Sequence, residues 1–308
     1  MDALNTLFPV FFMLALGFIA RIKGWITPEQ KEGANAIIFK ILFPFLIFNL
    51  MATASFNASH IGLIVYAFIA MTIAFLLGKL LSGFTGKKYG DFSPYLISVM
   101  EGGNVALPLY LSIVGESSNT VIFDIACSLM CFVVFPILVA KQTASGTSGK
   151  QLLKTIFTNS FVLAVIAGLA LNLTGIYAML EASAIGTLLT NTMSQVTTPI
   201  VSMILFILGY NLRLDKKLLL SISPLMALKT MYYAIVIAGF FLLFPTQMSD
   251  PVFRIAPIIY FMSPTGFGLI PIITPLFKDE DDEAYTSGFV SMYILITLIV
   301  YTGIVLFL

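Results

Sequence analysis

Glu101 opens the run Glu101-Gly102-Gly103-Asn104-Val-Ala-Leu-Pro108 in the middle of a long apolar stretch. A carboxylate at that depth is a candidate proton carrier, because burial favours its neutral form while helix N-termini and nearby cations favour the charged one. Placing a charge at the centre of a membrane span costs about 3 kcal/mol or more on insertion scales. Glu101 is therefore functional or neutralised, the plainer reading being a protonated structural glutamic acid bonded to nearby backbone. The paired glycines loosen the helix, and Pro108 removes a donor and clashes with the preceding turn. A second run, Ser263-Pro264-Thr265-Gly266-Phe267-Gly268-Leu-Ile-Pro271, has the same character. Two broken helices crossing at the membrane midplane would aim half-helix N-termini, each carrying about half a positive charge, into one cavity. That is a site for a small anion, with Asn104 and Thr265 expected on its walls. The alternative is a pair of proline kinks repaired by neighbouring helices.

Other polar residues are read more plainly. Lys229 has three readings: partner of an acid, contact for substrate, or a side chain snorkelling to the interface. Lys79 is a second accessory candidate. Asp124 and His60 are expected at the membrane interface, which leaves Glu101 as the one carboxylate near the centre of a span. The acidic run Asp279 to Glu283 is expected to be a solvated turn. Cys127 and Cys131, the only cysteines, lie in an apolar stretch and read as small buried hydrophobes; with a single histidine in the chain they complete no usual metal site. No metal or cofactor is expected. The phosphate-loop, His-Glu-x-x-His and Gly-x-Ser-x-Gly signatures of nucleotide hydrolysis and catalysis do not occur. An enzyme is not expected.

The elements that must position these residues follow from composition. Of 308 residues 59% are hydrophobic and 10% charged, against about 25% charged in soluble domains. The chain reads as an all-α integral membrane protein. A span needs about 20 apolar residues, and the apolar runs give ten: roughly 4–22, 34–52, 60–82, 93–114, 119–140, 157–174, 184–210, 219–244, 251–277 and 285–307. The two motifs fall in spans 4 and 9. With a net charge of +1 there is no basic field to attract nucleic acid. Thirteen of the 16 basic residues fall in the breaks after odd-numbered spans, which places those breaks in the cytoplasm and both termini outside. Arg21 and Lys23 follow the first apolar run rather than precede it, so it reads as a span and not a signal peptide.

The small, polar connector 141–154 divides the chain into 1–140, with spans 1–5, and 155–308, with spans 6–10. Five is odd, so the second half enters the membrane with opposite polarity. This is the inverted-repeat plan of many secondary transporters, with spans 4 and 9 as the broken, crossing helices.

The chain resembles the auxin efflux carrier family, which includes bacterial malate and malonate permeases and is related to plant PIN carriers. The resemblance lies in Thr27-Pro-Glu-Gln30, Asn35 and Phe43-Pro44-Phe-Leu46, in Leu107-Pro108-Leu with Gly115-Glu116, in Leu208-Gly209, and in Pro264-Thr-Gly266, Pro271 and Thr286-Ser-Gly. It implies a scaffold and homodimer surface made by spans 1, 2, 6 and 7, and a moving domain made by spans 3–5 and 8–10. It also implies a site at the crossing for a substrate carboxylate: Glu101, Gly102, Gly103, Asn104, Pro108, Pro264, Thr265, Gly266 and Pro271. The family usually has asparagine seven residues before the span 4 proline, where this chain has Glu101. A protonated Glu101 would donate to the substrate and an ionised one would repel it.

The leading expectation is a secondary transporter of a small organic anion in the plasma membrane, of the bacterial inner-membrane type, coupled to a proton or another ion. The alternatives are a proton/cation exchanger of similar fold, which would want two central carboxylates, and a membrane sensor that does not transport. The orientation is open to direct test. A cysteine placed at Ser148 is expected to resist an impermeant thiol reagent added outside intact cells; labelling from outside would reverse the assignment of sides.

Overall fold

A chain crossing a bilayer must satisfy its backbone within itself, and a long apolar run does so as a helix. The computed structural model of the chain describes residues 2–53, 59–83, 89–115, 119–143, 160–211 and 216–307, and among them there is helix and no strand. In chain order the helices are α1 (Asp2–Ile22), α2 (Pro28–Ile37), α3 (Phe43–Thr53), α4 (Ser59–Leu80), α5 (Ser93–Ser98), α6 (Leu107–Val114), α7 (Asn119–Leu129) and α8 (Phe135–Gln142). The second half holds α9 (Ser160–Leu173), α10 (Ile176–Glu181), α11 (Gly186–Asn211), α12 (Lys216–Leu243), α13 (Pro245–Met248), α14 (Ile255–Phe261), α15 (Ile270–Ile273) and α16 (Glu280–Phe307). Six helical runs among the described residues are long and apolar enough to cross a membrane, fewer than the ten spans expected. Spans 4 and 9 are interrupted, span 5 is divided by a wide turn, and span 6 is described only from Ser160. Of the connector 141–154, residues 144–154 lie outside the described residues.

Three of the interruptions share one cause. The π turns Ile38–Leu42, Gly102–Ala106 and Met130–Val134 each end two residues before a proline, Pro44, Pro108 and Pro136. A proline in a continuous helix clashes with the carbonyl four residues back and leaves it without a donor; one wider turn relieves both. Span 2 starts earlier than its hydropathy suggests because Thr27 and Gln30 form a reciprocal capping box, with Pro28 in the first helical turn. The acidic run 279–283 is not simply solvated. Asp282 is buried, its carboxylate accepts the Lys278 backbone N–H at 2.8 Å, and its own N–H donates to the Asp279 side chain at 3.1 Å. These carboxylates cap the N-terminus of α16. Nearby, Lys278 Nζ donates to Asp91 at 2.5 Å, and that bond and charge hold the exposed lysine above its ordinary range.

Contacts sort the helices into two sets, one comprising α1 to α3 with α9 to α11 and the other α4 to α8 with α12 to α16. Glycine sets the approach within the first. A Cβ at Gly17 would lie 1.9 Å from Phe206 O, and one at Gly209 would lie 1.9 Å from Leu14 O. The backbones of α1 and α11 thus touch at two reciprocal points, the small-residue packing open to helices in lipid. In the second set Tyr66 on α4 and Tyr232 on α12 donate to Val236 O at 3.0 Å and Ala70 O at 2.6 Å, each bonding into the other's helix.

Gly209→Val is expected to destabilise the protein by about 3 kcal/mol or more through overpacking. Gly303→Ala, where a Cβ meets nothing within 4 Å, should change stability by no more than about 0.5 kcal/mol. Apparent Tm of both variants in detergent checks the contrast.

Candidate functional site

The site is built where two helices stop. α5 ends at Ser98; Val99 is extended, with φ −121° and ψ 157°, and helix resumes at Gly102. α14 ends at Phe261, and Met262 to Gly266 carry no helix before the short turns that follow. Pro264 lacks a donor and holds Ser263 away from helical geometry. Each break strands backbone groups inside the protein, and each supplies partners to the other. The Glu101 backbone N–H donates to Pro264 O at 2.7 Å. The Thr265 hydroxyl donates to Leu96 O.

Side chains from neighbouring helices complete the set. Tyr233 of α12 donates to Ser98 O at 3.1 Å, Lys229 of α12 to Val99 O at 3.2 Å, and Cys127 of α7 to Met100 O at 3.5 Å. On the second break, Thr297 of α16 donates to Met262 O at 2.7 Å. Lys229 Nζ also donates to Thr265 Oγ1 at 3.0 Å, so one ammonium holds both breaks. Lys229 is fully buried, near the middle of α12. Either helix end lies about 20 Å away at 1.5 Å per residue, well beyond the side chain's reach. That overturns the snorkelling reading.

The N-terminus of the resumed helix is occupied by the protein's own acids. The Glu101 carboxylate accepts the Asn104 N–H at 3.2 Å, and the Ala106 N–H donates to Glu101 O at 3.1 Å. Asp124 lies against the same end, where a Cβ at Gly102 would stand 1.8 Å from its Oδ1. Only glycine leaves room there. Asp124 is buried, not interfacial as expected from its sequence position. Its Oδ1 accepts from the Tyr260 hydroxyl at 2.7 Å, and its buried Oδ2 meets no hydrogen-bond partner among the described residues.

A cavity of about 250 Å³ opens at this point, lined by Phe43, Met100 to Asn104, Asp124, Cys127, Ser128, Cys131, Ser160, Gly266 and Gly268. It therefore brings together Glu101, Gly102, Gly103, Asn104 and Gly266 from the expected site and adds Asp124, a second carboxylate. Among the described residues, no basic side chain lines it. Gly103 meets the Phe43 ring of α3, with a Cβ position 2.5 Å from Cζ. Thr265 is not on the cavity wall; its hydroxyl is spent on Leu96 O and Lys229. Pro108 is buried in α6, Pro264 contributes its carbonyl, and Pro271 stands second in α15. Lys79 is exposed at the end of α4, 4.9 Å from the Phe75 ring centroid, and is not among the lining residues. No cluster of histidine, cysteine and carboxylate groups fit to hold a metal occurs among the described residues.

A signal for the missed acid lies in the sequence itself. Asp124, Cys127, Ser128 and Cys131 recur at helical spacing and form one stripe of span 5. All four line the cavity.

A cavity with titratable walls, where the breaks of two helices meet, is the form of a transport site. Residues 2–150 match the family described as "Membrane transport protein". The matched stretch covers nearly half the chain and includes the first break with Glu101 and Asp124. That family transports and does not catalyse. No curated protein matches the chain.

Cys127 and Cys131 are the chain's only thiols and both line the cavity, so the unmodified protein carries its own reporters. A small methylthiosulfonate reagent is expected to label them slowly, at least about tenfold slower than a cysteine introduced at exposed Lys79 given their burial. A transported ligand should slow the labelling further. Equal rates would contradict the burial of the two thiols.

Proposed function

We propose that the protein is a secondary active transporter that carries a small organic anion together with a proton by alternating access. The observation behind this reading is the capping of Asn104 N–H by Glu101 beside the cavity. An N–H at a helix N-terminus is a natural seat for a carboxylate ligand, and here a tethered carboxylate already fills it. When Glu101 is protonated it accepts that hydrogen bond weakly. The N–H becomes free and a repelling charge leaves the cavity in the same event. Anion and proton then bind together, and loss of the proton restores the competitor and expels the anion. Glu101 is the coupling group, and Gly102, Gly103, Asn104 and Gly266 bound the space that the anion enters.

The anion class, such as malate, malonate or an auxin-like carboxylate, rests on the resemblance to auxin efflux carriers. So do a homodimer through α1 to α3 and α9 to α11, and a location in a bacterial inner membrane with both termini outside. The ten-span plan with two inverted five-span halves is consistent with the paired breaks, and the two helix sets suit movement of one against the other. Phe43 and Ser160 reach the cavity from the first set and the other lining residues from the second.

One observation favours a second reading. Glu101 and Asp124 give the cavity two carboxylates and, among the described residues, no basic neighbour on its wall, which suits exchange of a cation for protons. The experiment separates the two. Organic acids that raise apparent Tm of the purified protein by mass action are taken into counterflow in liposomes, alongside proton flux driven by sodium or potassium gradients alone. For the leading reading, Glu101→Gln keeps counterflow within about threefold of wild type, loses its pH dependence and abolishes proton-driven net uptake. Wild-type proton-driven uptake by Glu101→Gln removes Glu101 from the coupling. Cation-driven proton flux with no response to any organic acid establishes the exchanger.

A further inference from the structure

The end of α5 is the negative end of a half-helix dipole. Its stranded carbonyls at Leu96, Ser98, Val99 and Met100 are met by donors from elsewhere in the fold. Three of those donors are neutral, the Thr265 and Tyr233 hydroxyls and the Cys127 thiol. The fourth is the amino group of Lys229, with no exposed surface. Around its Nζ stand Val99 O at 3.2 Å and Thr265 Oγ1 at 3.0 Å, with the Tyr293 ring centroid at 4.8 Å and that of Phe289 at 6.0 Å. The Glu101 carboxylate interacts with it electrostatically.

A carbonyl from one unwound helix and a hydroxyl from the other are the ligands with which broken helices hold an alkali cation. An ammonium makes directional hydrogen bonds to the same oxygens and tolerates an aromatic face on its remaining side. We propose that Lys229 is a resident cation: its ammonium occupies the place at the crossing that a bound sodium or potassium ion would fill, so the two broken helices stay joined without any inorganic cation. Tethering supplies the charge at a high effective concentration that external salt does not alter. Lys229 is a positioning residue in this role. It touches the backbone of the crossing and not the cavity, and the role does not depend on which solute the cavity carries.

The test uses no organic acid, so its outcome is independent of the transport reading. Apparent Tm of the purified full chain in detergent is compared in choline, sodium, potassium and methylammonium chloride at equal ionic strength. Wild type should give one Tm in all four. Lys229→Ala should fall by about 4 °C or more in choline and regain at least half of the loss, saturably, with sodium, potassium or methylammonium. Lys229→Met, which fills the space without charge, should fall and regain nothing. A sodium- or potassium-dependent rise in wild type, a wild-type Tm for Lys229→Ala in choline, or a Lys229→Ala protein indifferent to every cation overturns the proposal. If Lys229→Ala yields no folded protein in choline, folded yield on extraction with methylammonium chloride decides: recovery supports the resident cation and no recovery overturns it.

Discussion

Cutting a helix in the middle of a membrane creates two ends where there were none, one partly positive and one partly negative, and lipid can satisfy neither. The structure around residues 98–104 answers that constraint at both ends. At the negative end of α5 stands the ammonium of Lys229; at the positive end of the helix resuming at Gly102 stand the carboxylates of Glu101 and Asp124. Each buried charge that is costly by itself faces the helix end that lowers its cost. The second break then binds to the first, through Pro264 O and Thr265, so neither interruption is repaired alone.

This arrangement also limits what the cavity can do. A helix N-terminus offers N–H groups to an anion, yet here the acids of the protein hold that position when ionised. In the function proposed above, an outside anion and the ionised Glu101 would compete for the same N–H. Gly102 and Gly103 make the competition possible, because a side chain at either would push Asp124 or Phe43 out of the space.

Much of this was legible from sequence. An apolar run about 20 residues long declares itself, and the Gly-Gly and Pro-Thr-Gly motifs marked both interruptions by backbone chemistry alone. The interfacial reading of Asp124 and the snorkelling alternative for Lys229 fail for a common reason. Hydropathy assigns a polar residue a depth along its span, but it does not give the direction of the side chain or where the opposing break will lie. Asp124 lies a few residues from the start of its helix and still reaches the cavity, because α7 packs beside the resumed helix. Lys229 looked near enough to one end to escape to water, whereas α12 runs from Lys216 to Leu243 and leaves it near the middle. The π turns were legible in their cause, proline, but not in their form, since a kink, a wide turn and a full break all answer the same missing donor.

The contact between Phe43 and Gly103 carries a last consequence. The aromatic ring belongs to one helix set and the glycine to the other, so the cavity is walled partly by a surface that belongs to neither helix break. In the cycle proposed above, a passenger would keep the acids and amides around it for the whole journey and trade only Phe43 and Ser160. Selectivity and timing would then reside in separate residues. The acids and amides would choose what is carried, and the fit of one benzyl ring against a bare stretch of backbone would set how readily the compartment parts from its wall.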